Sequence, residues 1–142
     1  MCNLFTQTKS VDEIKAMFAA AQVPLAFPEG APNLEPRDVA ITDPGPIVRL
    51  AVAPPGGFEL VVRRWSWPMS GGKPLYNFRS EGRAFPSGRC LIVVDGFYEY
   101  TAPADPRQKR KDRWLFTGAD GTPIGIAGLV RGHPEVGEHS RC

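Results

Sequence analysis

Apolar residues recur at helical spacing once, near the start of the chain, and afterwards in short runs of β type. In SVDEIKAMFAAAQ (residues 10–22), Val11, Ile14, Met17, Phe18 and Ala21 share one helical face. Ser10 stands three residues before Glu13, the spacing of a capping box. A helix is predicted here, with Met17 and Phe18 filling the core. Pro24, Pro28, Gly30 and Pro32 then break the pattern, and the stretch to Pro46 reads as an irregular, turn-rich connection. Five runs follow: IVRLAVA (47–53), FELVVRRW (58–65), CLIVVDGFYEY (90–100), WLFT (114–117) and PIGIAGLV (123–130). They are rich in β-branched and aromatic residues, and PPGG and SGGKP supply turns between the earlier ones. One helix followed by strands, without strand–helix alternation, predicts an α+β fold: a mainly antiparallel, barrel-like β core with an N-terminal helix. The domain is expected over residues 1–130, and residues 131–142, which lack strand periodicity, are expected to form a flexible polar tail.

Composition changes this picture little, and charge changes it more. The 142 residues fit one domain, which buries roughly two-thirds of its unfolded surface. No run is long enough to span a bilayer and no charged-then-apolar signal opens the chain, so a cytoplasmic protein without membrane contact is expected. Cys2, Cys90 and Cys142 are odd in number and irregular in spacing, which suggests reduced thiols rather than a disulfide framework or a metal site. No cofactor, metal or obligate protein partner is indicated. Net charge is +2, yet residues 61–115 carry eleven basic and five acidic side chains. That excess would attract a polyanion. The run RQKRKDR (107–113), taken alone, reads as a solvated loop.

The candidate chemistry begins at Cys2. Removal of Met1 would leave a cysteine whose amine and thiol sit on adjacent carbons, with reference pKa values of about 7.7–8.0 and about 8.5. An aldehyde meeting this pair can form an imine with the amine and then be closed by the thiol into a five-membered thiazolidine. Without further signals, a small residue buried near the first strand is the commoner role for such a cysteine. Three later segments add weight to the chemical reading. In YNFRSEG, Asn77, Arg79 and Glu81 alternate, so an extended strand would turn all three to one face. The amide suits an amine or sugar hydroxyl, and the guanidinium suits a phosphate. In RCLIVVDGFYEY, Glu99 sits among aromatic residues, where partial burial would raise its carboxyl pKa and fit it to carry protons. In RRWSWP, Trp65 and Trp67 lie beside Arg63 and Arg64, a combination suited to unstacked bases and phosphates, although two tryptophans also suit a core.

Cys2 after Met1, the N-x-R-x-E of Asn77, Arg79 and Glu81, and RCLIVVDGFYEY together resemble the SRAP (SOS response-associated peptidase) family, from Met1 to about Val130. Asn33 and Pro36 resemble the asparagine and proline of the family's early loop, and Trp65 its tryptophan before a proline-containing turn. The resemblance implies a barrel-like α+β fold that binds single-stranded DNA and crosslinks to the aldehyde of an abasic site through a thiazolidine. It implies Cys2 as nucleophile, Asn77 as the residue holding the terminal cysteine and lesion sugar, and Glu99 as the proton carrier. It implies DNA contacts by Arg79 on a phosphate and by Asn33, Pro36, Trp65 and Trp67 near the lesion, with DNA carrying abasic sites as partner and the nucleoid as working location.

Several positions depart from that family pattern. Asn3 and Leu4 replace a common glycine and arginine, and Tyr100 replaces a frequent tryptophan. The family's H-x-R-M-P-like histidine segment has no counterpart, and neither His133 nor His139 is assigned its role. The loss of further strands is expected to expose a sheet edge and to impair activity. Two other functions compete: an N-terminal cysteine peptidase or amidohydrolase, for which no oxyanion-hole motif is visible, and a noncatalytic single-strand binder using the basic middle.

Overall fold

The computed structural model describes residues 3–53, 56–67, 71–133 and 137–142. Its elements run β1 (Leu4–Gln7), α1 (Val11–Ala20), β2 (Leu25–Ala26), β3 (Arg37–Ala40), β4 (Pro44–Leu50), β5 (Phe58–Trp65), β6 (Arg89–Val94), β7 (Gly96–Thr101), β8 (Asp112–Thr117), β9 (Ile124–His133) and β10 (Gly137–Arg141). The helix starts where its sequence says it should: the Ser10 hydroxyl accepts from the Glu13 backbone N–H, and the Glu13 carboxylate accepts from the Ser10 N–H. Both first-turn donors are thereby satisfied. No helix among the described residues is long and apolar enough to cross a membrane.

Two sheets make up the rest. One is four-stranded and antiparallel, in the order β3-β1-β7-β8. The other runs β10-β9-β6-β4-β5-β2, and a further parallel pairing of β10 with β5 closes five of its strands into a mixed barrel. The α+β, barrel-like expectation holds. Neighbouring residues on the barrel strands are buried on opposite faces, which is why these strands read as continuous apolar runs. Ile47 pairs with Val61 and Ile92 in the barrel interior. The next residues round, Val48, Leu60 and Val93, face outward and bury Ile14 of α1 and Leu25 of β2. Each such aliphatic burial contributes about 1.5–3 kcal/mol.

The chain changes sheets between β6 and β7. Asp95 makes the corner: its Oδ2 accepts from the Thr8 N–H, from Thr8 Oγ1 at 2.8 Å and from the Lys9 N–H at 3.1 Å. Gly96 follows because a Cβ there would lie 2.7 Å from the Phe116 carbonyl oxygen and 2.9 Å from Leu115 Cδ1. The corner thus fixes β1 against β7, the two strands that carry the N-terminal region and Glu99.

Three expectations need correction. The connection to Pro46 contains β2 and β3, whose few residues gain their structure from long-range pairing with β5 and β1. The segment Asn77–Glu81 is not a strand: Glu81 and Gly82 turn, and only Asn77 of the three polar residues is half-buried. The tail is the third. Residues 137–141 form β10, with His139 opposite Arg131 on β9 and opposite Arg64 on β5. His139 and Ser140 are 5% and 1% exposed. The strand carries no apolar alternation because its buried side chains are polar: His139 Nδ1 lies 3.1 Å from Gly137 O, and the backbone is held as well, the Ser66 N–H donating to Ser140 O.

Candidate functional site

Cys2 lies outside the described residues, and the structure is informative from Asn3 onward. β1 and β7 are in register as Phe5 with Phe97 and Thr6 with Gly96. Continued outward, that register sets Asn3 opposite Glu99. The two side chains line one open cleft of about 410 Å³ with Tyr100 and Lys111. Glu99 is half-buried there, and its partner across the ladder on β8 is Trp114. A carboxylate able to exchange protons and an ammonium able to hold an anion therefore share the cleft beside the residue that follows Cys2.

Asn77 reaches the fold by a different route. The Cys142 N–H donates to Tyr76 O at 3.0 Å and the Phe78 N–H donates to Cys142 O at 2.9 Å, so residues 76–78 pair with the residue that follows β10. Asn77 Oδ1 accepts from Cys142 Sγ at 2.8 Å. Trp65 underlies this arrangement. Its ring is 1% exposed, tilted against Phe5 at 5.0 Å and edge-on to Tyr76 at 6.3 Å. The expected wedge or stacking role of Trp65 is corrected by this burial: a base has no access to the ring. It is a core residue that ties β1 to the segment carrying Asn77.

Trp67 is better placed for a ligand. It is half-buried just beyond β5, bonded through its backbone to Leu75, with the Arg131 guanidinium 5.3 Å from its ring centroid and His139 edge-on at 6.3 Å. Arg141 lies over the Phe78 ring at 5.1 Å, and its Nε is buried without a hydrogen-bond partner among the described residues. Burial first, and then the fields of Arg131 and Arg83, hold the Arg141 pKa below its ordinary value. Arg141 thus feels two other guanidiniums, and two of the three cations lie over aromatic rings, Arg131 on Trp67 and Arg141 on Phe78, a surface that favours an anion. Arg83, Arg131 and Arg141 form no motif in the sequence: Arg131 and Arg141 come together through the pairing of β9 with β10, and Arg83 reaches them from the irregular segment before β6. Arg79 is exposed on the neighbouring segment.

Asn33 and Pro36 are exposed on the approach to β3. Asn33 lines a second cleft, of about 310 Å³, with Gln7, Arg37 and Pro44. Gln7 ends β1 and Asn3 immediately precedes it, roughly 13 Å apart at strand rise. The structure therefore sets Asn33 and Glu99 in separate clefts. No group of three or more His, Cys, Asp or Glu side chains placed to hold a metal occurs among the described residues.

Cys90 is the thiol least suited to chemistry. It is buried in the barrel, and desolvation pushes its pKa up to about 12, opposed by Arg49 and reinforced by Cys142. A thiol so shifted remains protonated near neutrality.

Comparison with known proteins agrees with this architecture. No curated protein matches the sequence. Two solved structures from Bordetella bronchiseptica share the fold. One, described simply as a protein, has a TM-score of 0.64 at 20% identity over 99% of this chain and 70% of its own. The other, described as a phage-related protein, has a TM-score of 0.71 at 17% identity over 99% of this chain and 67% of its own. The sequence itself matches the SOS response associated peptidase family across residues 1–141, and on that match the chain belongs to the SRAP family.

Proposed function

We propose that this protein binds single-stranded DNA and captures the open-chain aldehyde of an abasic site on Cys2 after Met1 is removed. Family membership implies the type of role, abasic-site crosslinking or peptidase-like. The observation that supports the crosslinking form is the shared cleft of Asn3 and Glu99, which brings a carboxylate beside the residue that follows Cys2. The Arg83, Arg131 and Arg141 cluster near Trp67 supports a polyanionic strand as substrate.

The reaction needs no oxidant. The Cys2 amine adds to the aldehyde carbon to give a carbinolamine, which loses water as an imine while Glu99 passes a proton to the departing hydroxyl and takes one back from the nitrogen. The Cys2 sulfur then adds to the same carbon, its proton goes to the former imine nitrogen, and the five-membered ring closes. Asn77 orients the aminothiol and the lesion sugar, and Arg79 holds a backbone phosphate.

Protein of verified N-terminal mass, incubated with a single-stranded oligonucleotide carrying one abasic site and then denatured, is expected to retain a protein–DNA band. Cys2→Ala, retention of Met1, or prior reduction of the aldehyde should each abolish it. Glu99→Gln should slow its appearance roughly 100-fold, within the usual range for general acid–base catalysis. A band that survives Cys2→Ala sinks the proposal, and amide turnover independent of DNA would favour the hydrolase instead.

A further inference from the structure

The face of the four-stranded sheet next to Glu99 carries an aromatic group that the proposed chemistry does not use. Trp114 is 54% exposed although it is the largest side chain of β8. Its ring is nonetheless anchored: Nε1 donates to Thr101 Oγ1 at 2.9 Å. Because Glu99 and Trp114 are register partners, the two side chains leave the sheet on the same face, at the close spacing of an antiparallel pair. The approach to β8 and its first residues are basic: Lys109, Arg110, Lys111 and Arg113 stand against Asp112, while Arg107 is paired with Asp105 at 3.1 Å. The approach is held in shape by Gln108, whose Nε2 donates to Arg110 O and to Asp112 Oδ1. Lys111 lines the same cleft as Glu99.

An exposed indole held in one orientation marks a contact surface, and the cations beside it specify what that surface takes. A neutral peptide or a second copy of this chain, itself net positive, would leave this charge unmatched. Unpaired nucleic acid offers both a π-face for the indole and phosphates for the loop.

We propose that Trp114 is a stacking platform for a base adjoining the abasic site, with Lys111 contacting the phosphate beside it. This rests on the single-stranded DNA reading above and adds to it a subsite that holds the intact neighbour of the lesion.

The test uses a fluorescent oligothymidine containing one tetrahydrofuran abasic analogue, which has no aldehyde, so that anisotropy reports noncovalent binding alone. Trp114→Ala is expected to weaken binding about 5- to 150-fold, the range for losing one stacked base, while Trp114→Phe retains most of the affinity. Lys111→Gln should flatten the dependence on salt by about one phosphate contact. Replacing the two bases that flank the analogue by further analogues should weaken wild type and leave Trp114→Ala unaffected. Because the ring is exposed, the melting temperature of Trp114→Ala should match wild type, which separates lost binding from lost folding.

Equal affinity of wild type and Trp114→Ala overturns the platform, and so does an equal loss in both on removing the flanking bases. A dimer that dissolves in Trp114→Ala with DNA affinity unchanged also overturns it, by making this face a homomeric interface. If wild type forms the crosslink while Trp114→Ala binds normally, the platform fails and aldehyde capture stands. If Trp114→Ala loses affinity but wild type forms no crosslink, the platform stands and aldehyde capture fails.

Discussion

Cysteine chemistry in this protein is decided residue by residue through solvation. Cys90 sits on the inward face of β6, where removing water from a thiolate is costly, and its pKa rises to about 12 in consequence. Near about pH 8 roughly one part in ten thousand of such a thiol is ionised, against about a quarter for a thiol of ordinary pKa. Iodoacetamide applied to the native protein should therefore leave Cys90 unmodified, as read by peptide mass spectrometry, and should label it once denaturant is added. Labelling of Cys90 at the rate of a free thiol in the native state would contradict the burial. The same reasoning narrows the crosslinking assignment, because the buried thiol offers no rival for an aldehyde. Trp65 teaches the complementary point. Its place in the sequence, after Arg63 and Arg64 and before Ser66 and Trp67, suits a nucleic-acid contact equally well; only packing against Phe5 and Tyr76 shows that the ring is structural.

Elements differ in how visibly they are written in the sequence. The helix and FELVVRRW were readable because their signals are local: a capping box for one and a run of β formers between turns for the other. CLIVVDGFYEY was readable as strand but not as two strands in two sheets, since the corner at Asp95 depends on Thr8 and Lys9, far away in the chain. β10 was unreadable for a physical reason. It is held by pairing on both sides and by the Glu138 carboxylate, which binds Arg49 Nη1 at 2.8 Å and Arg63 Nη2 at 2.8 Å, so it needs few apolar side chains. Its seat is also tight. A Cβ on Gly128 of β9 would come within 2.8 Å of the Arg141 carbonyl oxygen and 3.1 Å of Cys90 Sγ. Gly128→Ala must displace the β10 backbone, and a destabilisation of about 1–3 kcal/mol is expected from overpacking, measured by urea unfolding. An unchanged midpoint would mean that β10 is not seated as described. The candidate site divides along the same line: Asn77 and Glu99 were visible as motif residues, whereas the Arg83, Arg131 and Arg141 cluster and the placing of Lys111 beside Glu99 exist only after folding.

At the scale of the whole molecule, closure of the barrel is tied to a charge network that reads pH. Glu59 is buried with its carboxylate on Arg49 Nε at 2.8 Å, Glu138 bridges Arg49 and Arg63, and Glu29 binds Arg63 Nη2 at 2.6 Å. Four segments, β4, β5, β10 and the loop after β2, are thus joined through two guanidiniums. The hydrogen bond from Arg63 holds the Glu29 pKa below its ordinary 4.5, against a smaller opposing effect of burial. Burial pushes Glu138 the other way first, but hydrogen bonds from Arg49 and Arg63 outweigh it and leave its pKa lowered as well. Carboxylates whose folded pKa is depressed bind fewer protons folded than unfolded. Their stabilisation is complete above the unfolded value and disappears as pH falls through the folded one. Melting temperature should therefore fall as pH drops below about 4.5, and Glu138→Gln should flatten that fall because one of the linked protons is gone. Near neutrality the same substitution is expected to cost about 1–3 kcal/mol, since Arg49 and Arg63 each lose a charged acceptor while remaining largely buried. Glu138→Gln tests the closure directly: a melting curve that keeps its full acid dependence would show that β10 is held to β5 by backbone pairing alone.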